Sequence, residues 1–80
     1  MIIQTFGSGR PNCKQLEENA REAVSTLGIE ADFEKITDTN QIVEMGVMRT
    51  PGLVFDGKVQ KSGKVFTPVE IEETIKAYTP

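Results

Sequence analysis

The stretch TFGSGRPNCKQLEE, residues 5–18, decides the fold of this chain because it joins a strand to a helix through two glycines. The run IIQTF, residues 2–6, is rich in β-formers and ends at Gly7-Ser8-Gly9, which predicts a strand followed by a turn. Pro11 suits the first helical position, because an N–H at that position would have no partner within the helix. Apolar side chains then recur on one helical face: Cys13, Leu16, Ala20, Ala23, Val24 and Leu27. Gly28 is a natural stop, so we predict an amphipathic helix packed on a sheet.

The rest of the chain carries strand alternation, turn signals and helix caps. The predicted elements are a strand over 29–36, a short helix over 38–46 capped by Asp38 or Thr39, a hairpin over 52–61 turning at Asp56-Gly57, and a helix opened by the capping box TPVE at 67–70. A strand–helix–strand crossover implies a parallel pair, and the hairpin adds antiparallel strands. We therefore predict an α/β fold, βαβαββα, with a mixed four-stranded sheet flanked by helices in one domain spanning residues 1–80.

Composition excludes several classes of function. The 80 residues carry a net charge of −3 with no histidine and one cysteine. Scattered basic residues in an acidic chain argue against nucleic acid as the partner, and the cysteine and histidine counts argue against a metal site. The N-terminus lacks a signal-peptide pattern, and no apolar run would span a membrane. One unpaired cysteine indicates a reducing, cytoplasmic setting.

The predicted start of the first helix holds an unexpected residue. If Pro11 opens the helix, Arg10 stands at the N-cap, where a hydrogen-bond acceptor and negative charge are favoured. Arginine supplies neither. A cysteine thiolate at residue 10 would be stabilised by that same helix terminus.

The residues GSGRPNCKQLEE, 7–18, resemble the Cys-Pro-Asn-Cys-Lys active site of the small thioredoxin-like "redox-active disulfide" proteins. The resemblance extends over nearly the whole chain, including GVMRTPGLVFDGK at 46–58 and Gly63 near the end of the last strand. It implies a thioredoxin-like fold with sheet order 4-3-1-2 and a cis peptide bond between Thr50 and Pro51. It also implies a thiol–disulfide oxidoreductase working in electron transport without a bound cofactor.

The resemblance assigns a role to each residue of the site, and one residue departs from it. Arg10 occupies the place of the family's first, nucleophilic cysteine, and Cys13 that of the second, resolving cysteine. Pro11, Asn12, Thr50 and Pro51 correspond to substrate-binding positions. The expected partners are a disulfide-bearing protein or small molecule and a thiol reductase as electron donor, with the chain monomeric and no nucleic acid or membrane involved. Without the first cysteine we expect the fold to persist and redox turnover to be largely lost.

Three alternatives accompany this hypothesis. Cys13 could serve only as a small buried hydrophobe. The groove near Pro51 could make the chain a non-catalytic binding module, with Arg10 supplying charge in place of chemistry. Two chains could also join through a Cys13–Cys13 disulfide, although the predicted burial of Cys13 opposes this. Arg10 has two possible origins: the natural protein has lost its dithiol, or the arginine was introduced by substitution.

Overall fold

The structure is a computed structural model and describes residues 1–7, 11–47 and 49–78. Seven elements follow one another in the order predicted from the sequence: β1 Ile2–Phe6, α1 Pro11–Leu27, β2 Asp32–Ile36, α2 Thr39–Glu44, β3 Gly52–Phe55, β4 Lys58–Ser62 and α3 Pro68–Tyr78. Among these described residues, none of the helices has the length and apolar character that a membrane span requires.

The sheet has the strand order β2-β1-β3-β4, as the family resemblance implied. β1 pairs in parallel with β2, while β3 is antiparallel to both β1 and β4. The parallel pair requires the α1 crossover, and the antiparallel pair β3–β4 requires only a tight turn. Asp56 and Gly57 form that turn with φ angles of 49° and 81°, the left-handed backbone of a two-residue hairpin.

Two apolar clusters cover the two faces of the sheet. The larger lies beneath α1 and α3: Ile3, Leu16, Ala20, Ala23, Val24, Leu53, Phe55, Phe66, Ile71 and Ile75. The smaller lies beneath α2: Phe6, Ile42, Val47 and Val54. Alternate residues of β1 and β3 enter opposite clusters because successive strand side chains point to opposite faces. The short α2 covers only part of its face, so most of the core lies on the α1–α3 side.

Helix caps form where the sequence predicts them. Asp38 accepts hydrogen bonds from the backbone N–H groups of Asn40 and Gln41 at 2.8 and 3.3 Å, and so caps α2. At α3, the Thr67 N–H donates to Glu70 at 3.1 Å and the Glu70 N–H donates to the Thr67 hydroxyl at 3.2 Å. The bond from Thr67 and a second from Lys64 hold the pKa of the Glu70 carboxyl below its usual range.

Two element bounds differ from the prediction. β2 begins at Asp32 rather than at residue 29, because it is an edge strand and its neighbour β1 begins at Ile2, the residue paired with Asp32. Among the described residues, the chain before Asp32 therefore has no strand to pair with. The predicted helix over 38–46 ends at Glu44, since Gly46 adopts a φ of 80° and leaves the helical conformation.

Candidate functional site

The candidate site lies where β1 ends, α1 begins and the loop before β3 passes by. Ser8, Gly9 and Arg10, including the residue predicted at the nucleophile's place, lie outside the described residues. The described part of the site consists of Gly7, the first turn of α1 and the Thr50–Pro51 dipeptide.

Cys13 is a free thiol buried on the inner face of α1, with 4% of its surface exposed. It lies in register with Leu16 and Ala20, as the helical spacing predicts. A cysteine in this position is screened from solvent by the sheet and by its own helix. It can therefore react only with a sulfur that is brought to the first turn of α1.

Gly7 allows this thiol to lie directly against the end of β1. A Cβ atom added at residue 7 would overlap the Sγ of Cys13, while it would lie 3.4 Å from the Cβ of Cys13 and 3.9 Å from the Cα of Pro51. The contact thus depends on a missing side chain at residue 7. Gly7, Cys13 and Pro51 meet at one point although they come from three separate segments of the chain.

The Thr50–Pro51 peptide bond is cis, and Pro51 is buried while Thr50 is exposed. The Pro51 carbonyl accepts a hydrogen bond from the Gly63 N–H at 3.0 Å, which ties the loop before β3 to the end of β4. On the following residue, a Cβ at Gly52 would come within 2.7 Å of Val47. A hydrogen bond to Gly63 and close packing at Gly52 therefore hold Pro51 in place near Gly7 and Cys13.

The remaining predicted site residues surround this contact. Pro11 and Asn12 are exposed in the first turn of α1, next to the buried Cys13. Among residues 1–7, 11–47 and 49–78, no group of three or more cysteine, histidine or acidic side chains lies close enough to hold a metal ion. Thiol chemistry or peptide binding is what this arrangement can offer.

Sequence reasoning missed a second cluster, at the opposite end of β1. Asp56, in the hairpin turn, accepts hydrogen bonds from the Ile2 N–H at 2.6 Å and from the Tyr78 hydroxyl at 2.8 Å. The Ile2 bond, then the Tyr78 bond, lowers the pKa of the Asp56 carboxyl. The same carboxylate raises the pKa of Tyr78, because it stabilises the protonated phenol. The three residues are far apart in sequence, so no local signal joins them.

A mixed sheet in the order β2-β1-β3-β4, with a thiol at the head of α1 facing a cis-proline, defines a thioredoxin-like α/β protein. The family profile described as "Thioredoxin domain" matches residues 1–76. A thioredoxin of Methanothermobacter thermautotrophicus is 48% identical over 75 residues, covering 94% of this chain and 97% of that protein. A thioredoxin of Methanocaldococcus jannaschii is 44% identical over 78 residues, covering 98% of this chain and 90% of that protein.

The chain therefore belongs to the thioredoxin domain family and has the scaffold of a thioredoxin-like oxidoreductase. The family and the fold class predicted from the sequence are confirmed.

Proposed function

We propose that this chain is a thioredoxin-like thiol–disulfide oxidoreductase scaffold whose redox cycle is interrupted at Arg10. The observation that carries the proposal is the buried contact between the Cys13 thiol and Gly7, beside Pro51. A resolving thiol needs this arrangement, since it attacks only a sulfur held at the start of its own helix. The sequence has an arginine where that sulfur would be attached.

The complete cycle needs two thiols. A thiolate at residue 10 attacks one sulfur of a substrate disulfide, forms a mixed disulfide and releases the other substrate sulfur as a thiolate. The Cys13 thiolate then attacks the residue-10 sulfur, forms the disulfide between residues 10 and 13 and releases the second substrate thiol. Two electrons have passed to the substrate. A thiol reductase would return the protein to its dithiol form.

With arginine at residue 10, neither the mixed disulfide with the substrate nor the disulfide between residues 10 and 13 can form. Cys13 could begin the reaction only by direct attack, which its burial hinders. We therefore expect the fold to be kept and turnover to be absent.

The other site residues serve substrate binding in this proposal. Thr50 is exposed at the cis bond that leads into β3, and we expect its backbone to pair with an extended peptide, as in β-strand addition. Pro11 and Asn12 form the exposed surface over Cys13. The substrates would be disulfide-bearing proteins or small molecules in a reducing cytoplasm, which the single unpaired cysteine favours.

The test is disulfide reduction measured side by side on the chain and on Arg10→Cys. We expect turnover only in Arg10→Cys, with Arg10→Ser as the matched control that removes the guanidinium without adding a thiol. In Arg10→Cys/Cys13→Ser, the mixed disulfide with a peptide substrate should accumulate and be visible by mass spectrometry. A folded Arg10→Cys variant without turnover, or a parent as active as that variant, would contradict the proposal.

A second candidate is a binding module that uses the same groove without chemistry. It is supported by the exposed Thr50 beside a buried cis-proline, because peptide pairing at Thr50 would require no nucleophile. In that case a partner should bind the parent chain tightly and Arg10→Cys weakly, and no variant should reduce disulfides.

A further inference from the structure

The charge of this chain is distributed unevenly along it. Residues 49–64 hold four of the nine basic residues, Arg49, Lys58, Lys61 and Lys64, and one of the twelve acidic residues, Asp56. This segment therefore carries a charge of +3 within a chain whose net charge is −3. Side chains of one charge that gather on one surface attract ligands of the opposite charge.

A β-bulge in β4 brings the basic side chains together. Leu53 pairs with Lys61 and Val54 pairs with Val59, so Gln60 is an extra residue in the strand. In a regular strand, Lys58 and Lys61 would point to opposite faces. With the bulge, Lys58 lies opposite Phe55 and Lys61 lies opposite Leu53, and both partners belong to the cluster beneath α1 and α3. The two lysines consequently share the α3 side of the sheet, where they line a cleft of about 550 Å³ between β4 and α3.

Lys61 and Lys64 also converge on one aromatic ring. Their ammonium groups lie 5.6 and 5.5 Å from the centroid of the Phe66 ring. Lys64 is paired with Glu70 at 3.2 Å, and Lys58 contributes to the lowered pKa of Asp56. Within the described residues, Arg49 and Lys61 have no carboxylate at ion-pair distance. These two cations are therefore available to an external anion.

This basic surface, defined as Arg49, Lys58, Lys61 and Lys64, is continuous with the candidate site. Gly63 donates its N–H to the carbonyl of Pro51, so the end of β4 lies beside the cis-proline. The side chain of Arg49 packs on Gly63, where an added Cβ would lie 3.5 Å from its Cδ. The end of the basic surface formed by Arg49 and Lys64 therefore lies beside Pro51, while Lys58 lies at the hairpin end of β4.

We propose that the basic surface binds an acidic stretch of the disulfide-bearing polypeptide that the site acts on. The identification of this polypeptide as a substrate rests on the proposed function, whereas the binding itself does not. Opposite charges steer partners together and discriminate against partners of like charge. Glu73 lines the cleft on the α3 side, and its negative charge disfavours a continuous polyanion such as nucleic acid. Separate carboxylates on a peptide avoid that repulsion.

The binding test uses the chain as it is. A short peptide of glutamate, serine and glycine is titrated against it and compared with the peptide in which lysine replaces glutamate. We expect the acidic peptide to bind more tightly, to lose affinity as salt is added, and to shift the NMR amide signals of residues 49–64. Lys61→Glu and Arg49→Glu should each weaken it by about five- to tenfold.

Lys35→Glu is the matched control, because Lys35 is also an exposed lysine on an edge strand and its reversal changes the net charge equally. Equal weakening by Lys35→Glu would overturn the proposal, since only net charge would then matter. Equal binding of the acidic and basic peptides would overturn it too, as would tighter binding of single-stranded DNA than of the acidic peptide.

A disulfide-reduction experiment tests this proposal independently of the proposed function. In the Arg10→Cys background, a disulfide flanked by glutamates should be reduced with a higher kcat/KM than one flanked by lysines, and Lys61→Glu should reduce that preference. If Arg10→Cys reduces both peptides equally, the basic surface has no role in substrate choice while the proposed function stands. If Arg10→Cys reduces neither peptide but the parent still selects the acidic one, the proposed function fails while the binding surface stands.

Discussion

The two ends of β1 are held in opposite ways. At its C-terminal end, Gly7 packs without a side chain against the buried Cys13 and Pro51. At its N-terminal end, Ile2 and Tyr78 donate hydrogen bonds to the exposed carboxylate of Asp56. The first end depends on shape and leaves no space for an added methyl group, whereas the second depends on charge. The thiol therefore sits at the close-packed end, and the pH-dependent contacts that join β1, the hairpin and α3 lie about one strand length away.

The largest effect on stability should come from Gly7→Ala. The new Cβ would overlap the Cys13 Sγ, and overpacking of a filled site costs about 1–3 kcal/mol of unfolding free energy. Urea denaturation of the two proteins measures this loss.

A double-mutant cycle sharpens that result. Cys13→Ala removes the Sγ and leaves the Cβ, which lies 3.4 Å from the position of the added methyl group. The loss caused by Gly7→Ala should therefore largely disappear in the Cys13→Ala background. Additive losses in the cycle would show that the thiol does not lie against Gly7.

A substitution at Thr5, which lies in β1 between its two ends, should have an intermediate effect and should increase stability. Thr5 is 2% exposed, and its hydroxyl has no hydrogen-bond partner among the described residues. Because a buried hydroxyl without a partner is costly, Thr5→Val should raise the unfolding free energy by about 1 kcal/mol at nearly constant volume. Thr67→Val is the control, since the Thr67 hydroxyl accepts the capping bond from Glu70 and its removal should lower stability.

These contrasts indicate which features could be predicted from the sequence. Asp56-Gly57, Pro11 and the Thr67–Glu70 capping box act through neighbours in the chain, so their turn and helix starts were predicted correctly. The helical phase of Cys13 likewise predicted its burial. The start of β2 depends on where β1 begins, and the bulge at Gln60 depends on the pairing with β3. Those features arise from contacts between segments, which a local pattern does not contain.

The candidate site divides in the same way. The resemblance identified Cys13, Thr50 and Pro51 as neighbours in function, and the structure places Cys13 and Pro51 around Gly7. The hydrogen bond between Tyr78 and Asp56 could not be predicted from the sequence. Aspartate is common in turns for local reasons, so its presence at residue 56 does not indicate a distant partner. Arg10, the residue on which the proposed loss of activity depends, lies outside the described residues, so its role is settled by substitution.

The smallest effect concerns the end of β1 that is held by Asp56, and it appears mainly as a dependence of stability on pH. The pKa of Asp56 is lowered in the folded protein, so its contribution to stability is present above its unfolded pKa of about 3.9 and is lost as the pH falls through the folded value. The pKa of Tyr78 is raised, so its contribution is present below about 10 and is lost as the pH rises through the folded value.

Asp56→Asn isolates the charge, because asparagine tolerates the φ of 49° and still accepts a hydrogen bond from Tyr78. We expect a small loss of stability near neutral pH and a shallower decline between about pH 5 and pH 2, measured by thermal unfolding across that range. Glu18→Gln removes one negative charge from an exposed position of α1. It should leave the decline of stability in acid, the acid limb of the stability curve, as steep as in the parent. An acid limb in Asp56→Asn as steep as that of the parent would mean that the carboxylate is not what joins Ile2, the hairpin and Tyr78. The two ends of β1 would then differ in packing alone.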